Sequence, residues 1–217
     1  MVIPEIIIHN TLNAILKIVR DDFASASDEQ NTILYRLFSD DNLERYELFE
    51  QAKTVFLKKP EESPRSLSVN LSFNSEKAFM PSIHITTPSD QHGEDGLGVD
   101  EGYQDNVYDS EDELITKTLT RRFNGRVNIT FTSDNSSEAL LLFYGFRALL
   151  IPLFPHLSIS GLDNIKLSGT ELNINPNLVP KHIFARSIVM QFGYETNVNL
   201  YKKLLAINTL IFDSNIL

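Results

Sequence analysis

Ten acidic side chains crowd into one stretch of this 217-residue chain, between residues 89 and 113, where no lysine or arginine occurs. They are Asp90, Glu94, Asp95, Asp100, Glu101, Asp105, Asp109, Glu111, Asp112 and Glu113. Carboxylates at this density can hold cations, dock on a basic protein surface or, inside a cavity that shifts a pKa, transfer protons. A rigid cavity is not expected, because four of the nine glycines share the stretch and apolar residues are sparse. The pattern predicts an acidic flexible loop or hairpin tip over 89–113, inserted between strands.

The same stretch carries the whole charge excess of the chain. There are 29 acidic and 19 basic residues, giving a net charge of −10, and the 19 acids outside the stretch equal the basic residues. The body is therefore neutral, which argues against a general basic surface for duplex DNA. A loop of this charge that faces a channel would repel phosphate, whereas one that faces outward would dock on a basic partner. Both alternatives make 89–113 an interaction loop that acts in assembly.

A basic cluster follows the acidic stretch directly. It consists of Lys117, Arg121, Arg122 and Arg126. On a continuous strand Lys117 and Arg121 share one face, and Arg122 and Arg126 share the other. A hairpin turn at Asn124-Gly125 would instead bring Arg122 and Arg126 close together. The cluster is a candidate for subunit or DNA contacts, and a salt-bridged subunit edge is the favoured use because the chain is acidic overall.

Motifs for catalysis, metal binding or nucleotide binding are absent from the sequence. The five histidines show no metal-ligand spacing, there is no cysteine, and no glycine-rich phosphate loop or serine nucleophile motif occurs. The sequence thus predicts a protein that is not an enzyme, with no metal and no cofactor. A metal-dependent hydrolase acting through Asp95, Asp100 or Glu101 is a lesser alternative, since catalytic groups normally sit on rigid elements.

Hydrophobic periodicity predicts the order of the elements. Helices are expected over 4–23, around 33–38, and over the apolar run 139–151; the segment 43–57 adds a short helix or strand. Strands are expected over 67–73, 79–87, 114–122, 126–132, 157–159, 164–167, 171–174 and 184–194, and the tail after 198 is either helix or strand. This order predicts a single α+β domain over 1–217, in which a mostly antiparallel sheet packs against an N-terminal helix and a buried central helix.

Targeting signals are not expected either. The N-terminal ten residues lack a positive region and a cleavage site. The run 139–151 is too short to span a bilayer, so no membrane contact is predicted.

The second half of the chain resembles neck and tail-completion proteins of tailed bacteriophages. The residues that carry the resemblance are RVNITFTSDNSSEALLLFYGFRALL from Arg126, Ser160-Gly-Leu, and FARSIVMQF from Phe184. Such proteins, also called tail terminators or head-tail connector rings, are α+β subunits that form a homo-oligomeric ring, usually six-fold or twelve-fold. The resemblance implies a structural virion component that joins head and tail, made in the host bacterial cytoplasm. Its partners would be other neck and tail proteins, and DNA would pass through the channel without specific binding.

A second interpretation is a non-catalytic adaptor whose acidic loop recognises a basic partner. The mass of the particle in solution distinguishes a ring from such an adaptor.

Overall fold

The computed structural model describes residues 2–39, 47–59, 66–72, 80–92, 103–108, 114–171 and 183–201. Five α-helices occur in these ranges: α1 Pro4–Ser25, α2 Ile33–Phe38, α3 Leu48–Ala52, α4 Ser136–Leu150 and α5 Phe154–Ile159. A π-helical turn, Lys53–Leu57, extends α3, and short 3-10 turns, Glu29–Asn31 and Ile151–Leu153, precede α2 and α5. Side chains cap the helices where the sequence supplies them: Thr32 Oγ1 accepts from the amide of Tyr35, and Asn135 Oδ1 accepts from that of Ser137.

Six strands form one sheet. They are β1 Ser68–Asn70, β2 Ser82–His92, β3 Tyr103–Tyr108, β4 Leu114–Ser133, β5 Leu162–Glu171 and β6 Phe184–Tyr201. The order across the sheet is β1-β2-β4-β6-β5, and β3 pairs with β4 as well. Only β1 and β2 are parallel among the described pairs; all others are antiparallel. The predicted α+β class with a mostly antiparallel sheet is confirmed.

One hydrophobic core joins the sheet to the helices. Alternate residues of the central strands form the sheet side of this core, among them Ile83, Val127 and Phe131, which are fully buried. Buried residues of helices α1 and α4 form the opposite side of the core and belong to the same hydrophobic cluster. Because all these side chains lie on one face of the sheet, the fold has two layers, and the opposite face of the sheet is left without a helix among the described residues.

Aromatic rings fill the centre of this core. The ring of Phe146 on α4 lies 5.4 Å from that of Phe56 and 5.4 Å from that of Phe131. Gly145 lets the helices approach closely, since a Cβ there would lie 2.9 Å from the ring of Phe38. The predicted central helix is therefore a buried core helix, and the predicted N-terminal helix is α1.

The acidic stretch is not a continuous loop. Its first residues, 89–92, belong to β2, and residues 103–108 form β3. Both strands pair with the same edge of β4, since His92 lies opposite Phe123 and Tyr103 lies opposite Thr120. The prediction of a loop was wrong for these residues because β4 offers them a partner strand, a long-range contact that composition does not reveal. The rest of the stretch, 93–102 and 109–113, lies outside the described residues.

Several smaller predictions also change. Segments 114–122 and 126–132 form one uninterrupted strand, so the Asn124-Gly125 turn does not occur. Residues 157–159 are helical in α5, where strand was predicted. The strand predicted over 67–73 is shorter, with β1 confined to Ser68–Asn70 among the described residues.

Helical residues from Ser136 to Ile159 form one stretch that is long and apolar enough to cross a membrane by length and composition. This stretch is longer than the apolar run 139–151 of the sequence analysis. Within the stretch, Leu141, Leu142 and Leu150 are fully buried in the core. A core helix passes the same test of length and composition, and the packing of α4 on the sheet accounts for its apolar character.

Replacement of Phe146 by alanine tests this packing. Phe146→Ala should lower the free energy of unfolding by about 3–5 kcal/mol, because it opens a cavity between Phe56 and Phe131. The neighbouring Tyr144 is 51% exposed, so Tyr144→Ala should cost about 1 kcal/mol or less. Denaturant unfolding of both variants measures the difference, and equal losses would contradict the assigned core.

Candidate functional site

A polar groove crosses the outer face of the sheet, opposite the helices. Its volume is about 430 Å³, and it spans from β2 to β5. The described lining residues are Ser89, Gln91, Asn124, Gly125, Arg126, Asn164, Lys166, Gln191, Phe192 and Gly193. The ladder register explains this composition: Ser89, Arg126, Gln191 and Lys166 form one cross-strand row. Side chains alternate between the two faces along a strand, so the polar residues between the buried core residues point to this outer face.

A bulge in β5 shapes the far wall of the groove. The register shifts between Asp163 and Lys166, and Asn164 has a φ of 50°. The extra residue places both Asp163 and Lys166 on outer-face pairs, opposite Gly193 and Gln191. Without the bulge, Lys166 would lie on the core face.

An ion pair lies beside the groove, next to Gly193. Arg122 Nη2 lies 2.7 Å from Asp163 Oδ2. The pair bridges β4 and β5 over β6, where Gly193 has no side chain, and a Cβ at Gly193 would collide with the Asp163 carboxylate. The pair is partly exposed, so its contribution to stability is small, and its main effect is to fix the position of both side chains.

Two cations remain inside the groove. Arg126 and Lys166 are exposed, and neither forms an ion pair with any described residue. They flank Gln191 in adjacent strands, about 10 Å apart across two strand spacings. The carboxamides of Gln91, Asn124 and Gln191 add both donors and acceptors. The groove can therefore bind an extended anionic ligand and orient it by hydrogen bonds.

The predicted basic cluster divides between the two faces. Arg122 and Arg126 both lie on the outer face, as continuous strand geometry predicts, and Arg126 lines the groove. Arg122 is salt-bridged within its own chain, which leaves Arg126 as the member of the cluster that lines the groove. Arg121 lies one residue before Arg122 and so belongs to the opposite face. Lys117 pairs with Asn106 of β3 and Leu200 of β6 in the ladder.

Two of the predicted acidic residues fall in described strands. Asp90 Oδ2 accepts a 2.6 Å hydrogen bond from the hydroxyl of Tyr194. Burial, followed by this bond to Asp90, raises the pKa of Tyr194. Asp105 pairs with Thr118 in the β3–β4 ladder. The other eight, Glu94, Asp95, Asp100, Glu101, Asp109, Glu111, Asp112 and Glu113, lie outside the described residues.

A buried polar network lies further along the outer face. His84 Nδ1 lies 3.1 Å from the carbonyl oxygen of Ser72, so its N–H donates there and Nε2 accepts from the hydroxyl of Ser82 at 2.8 Å. Ser82 Oγ in turn accepts from the hydroxyl of Thr132, also at 2.8 Å. The arrangement resembles a serine and its base, but Ser82 is 1% exposed and His84 is 4% exposed. A substrate has no access to them, and the network stabilises the sheet.

Comparison with known proteins gives no family assignment. No protein-family model matches the chain, and no curated protein is similar to it at a significant level. Among the described residues, no group of three or more histidine, aspartate or glutamate side chains could hold a metal ion.

The sequence did not predict the groove, for a physical reason. Lys166, Gln191 and Ser89 are separated by long stretches of chain, and only the register of the strands brings them into one row. The bulge at Asn164 reverses the face expected for Lys166. A partial signal existed in the polar alternation of β4, where Asn124, Arg126 and Asn128 share one face.

The protonation of His84 gives a measurable pH dependence. Burial lowers the pKa of His84, and the hydrogen bond to Ser72 partly opposes the shift. The unfolded chain therefore takes up this proton first, and the free energy of unfolding should fall as the pH drops below about 6.5. His84→Gln should flatten this fall between its folded and unfolded pKa. His156→Gln, at an exposed ring, is the control and should keep the wild-type profile in denaturant titrations.

An identical pH profile in His84→Gln and in the wild type would show that His84 is not the group responsible.

Proposed function

We propose that this protein is a non-catalytic, ring-forming structural component of the neck or tail of a tailed phage, joining head and tail around the DNA channel. The observation that carries the proposal is a three-stranded arm with two edges that no described residue pairs with. The arm consists of β3, residues 114–122 of β4 and residues 195–201 of β6. At about 3.3 Å per residue, its part of β4 extends about 30 Å.

Each edge of the arm carries backbone N–H and C=O groups that no described residue pairs with. Strand β3 pairs with β4 along one edge, and no described residue pairs with its other edge. Strand β6 loses its β5 partner beyond Tyr194, so residues 195–201 likewise have one edge without a partner in the described part of the chain. Unpaired backbone N–H and C=O groups favour addition of another strand.

The placement of the edges favours a ring. They lie on opposite sides of the arm, so β3 of one copy would meet β6 of the next copy. Such a head-to-tail contact joins two different surfaces, and it closes into a ring when the rotation between copies divides a full turn. The six-fold or twelve-fold symmetry implied by the sequence resemblance belongs to this class.

The charge distribution supports passage of DNA without specific binding. The net charge is −10, and the excess lies within 89–113. Acidic groups of copies arranged around a channel would repel phosphate. The other partners proposed are neck and tail proteins of the same virion, and the site of action is the virion after synthesis in the bacterial cytoplasm.

Light scattering after size exclusion, together with electron micrographs of the same fraction, tests the proposal. The full chain should form closed particles of fixed copy number. Alternate residues of a strand direct their N–H groups to opposite edges, so one of Thr196→Pro and Asn197→Pro removes an outward donor and the other removes a donor to β4. One of the two should abolish the particles with little change in melting temperature, while its neighbour mainly lowers the melting temperature.

A single copy at every protein concentration, with no closed particles on the grid, would contradict the ring. A monomer that binds basic proteins would indicate the adaptor instead.

A further inference from the structure

We infer that the outer-face groove binds a small phosphate monoester of the sugar phosphate class. The described lining of the groove contains two cations, Arg126 and Lys166, and no acidic side chain. It includes no residue of β3 and none of 195–201, the strands whose edges carry the proposed ring. The inference therefore goes beyond the proposed function and does not depend on it.

The two cations can meet at one anion. Arg126 and Lys166 pair with Gln191 from opposite sides, so their Cα atoms lie about 10 Å apart, which is two strand spacings. Both side chains are exposed on the outer face, and each is long enough to cover half of this distance. The guanidinium offers two parallel N–H donors to oxygens of the anion, and the ammonium offers a third contact. The carboxamide of Gln191, which lies between them, supplies a further donor.

The charge of the groove selects a dianion. Asp163, the acidic residue in the neighbouring row of the ladder, is ion-paired with Arg122 at 2.7 Å. The positive charges of Arg126 and Lys166 are therefore left for a ligand, since neither pairs with a described carboxylate. A phosphate monoester carries a charge of about −1.5 to −2 at pH 7 and has three acceptor oxygens. A carboxylate or a sulfate ester carries a single negative charge and would compensate for one of the two cations.

The rest of the groove suits a hydroxylated carrier for the phosphate. Gly193 has no side chain, so the outer face is open next to Gln191. Carboxamides at Gln91, Asn124 and Asn164 surround this space, and each can donate to and accept from a hydroxyl group. The volume of about 430 Å³ lies in the range of small-molecule sites.

The lining favours a sugar over a nucleotide base. Bases of single-stranded nucleic acid are held by stacking on exposed aromatic rings. The aromatic residue in the described lining, Phe192, is 4% exposed, and its ring packs against Gly125. A base would therefore find no ring to stack on among the described lining residues, whereas sugar hydroxyls would find carboxamides.

The first measurement is calorimetric titration of the full chain with glucose 6-phosphate. Binding should saturate at one ligand per chain. Arg126→Gln combined with Lys166→Gln removes both charges and should weaken binding at least about tenfold. Glucose 6-sulfate, which has the same shape and one negative charge, should bind the wild type at least about tenfold more weakly than the phosphate does. Adenosine 5′-monophosphate should also bind more weakly, because its base has no stacking partner.

Two control variants define the site. Lys17→Gln combined with Arg147→Gln removes the same charge at exposed positions of α1 and α4 and should bind as the wild type does. Arg126→Lys keeps the charge and should retain more affinity than Arg126→Gln. Circular dichroism and melting temperature confirm that each variant is folded. Absence of saturable binding, equal weakening in the two double variants, or adenosine 5′-monophosphate binding as tightly as glucose 6-phosphate would overturn the inference.

The second measurement uses the wild-type chain and so does not depend on a variant that folds. Acetic anhydride modifies exposed lysines, and mass spectrometry gives the rate at each one. Saturating glucose 6-phosphate should slow the acetylation of Lys166 several-fold, because the ammonium is then in contact with the phosphate. Lys17 should react at an unchanged rate. Equal reaction of Lys166 with and without the ligand would overturn the inference.

These outcomes are separate from those that test the proposed ring. A chain that stays monomeric while glucose 6-phosphate protects Lys166 would reject the ring alone. Closed particles in which Lys166 is not protected would reject the phosphate site alone.

Discussion

The pairing of β4 with β6 is the constraint on which the rest of the structure depends. Its register runs without a shift from Thr116 opposite Tyr201 to Ser133 opposite Phe184. Because side chains alternate along both strands, this one ladder places Val127 and Met190 in the core and Arg126 and Gln191 in the groove. The same ladder continues past the core as the arm. A slip of one residue would exchange the two faces and lose the core and the groove together.

The two faces of the sheet differ in polarity and in what packs against them. The core face is apolar and covered by α1 and α4. The outer face carries the buried Ser82, His84 and Thr132 network toward one end and the groove toward the other. In the proposed ring, backbone groups at the edges of the arm would form the contact between copies.

Local patterns predicted the elements better than their connections. The helical period of Ile8, Leu12 and Ile15 and the alternation of Val127, Ile129 and Phe131 located α1 and β4 correctly, since both signals depend on neighbouring residues. The strand at 103–108 was missed because its partner, β4, overrides a composition typical of loops. The run 157–159 became helical since α5 continues directly from the turn after α4. The groove required register and the bulge at Asn164, and neither is encoded in a local pattern.

Amide hydrogen exchange tests the central claim, that open strand edges join the copies, most directly. The outward amides of residues 195–201 should exchange freely at low protein concentration and become protected at high concentration, because another strand then pairs with them. The buried strand Val127 to Phe131 supplies an internal reference that should not change. Protection at 195–201 that is the same at both concentrations would contradict the account.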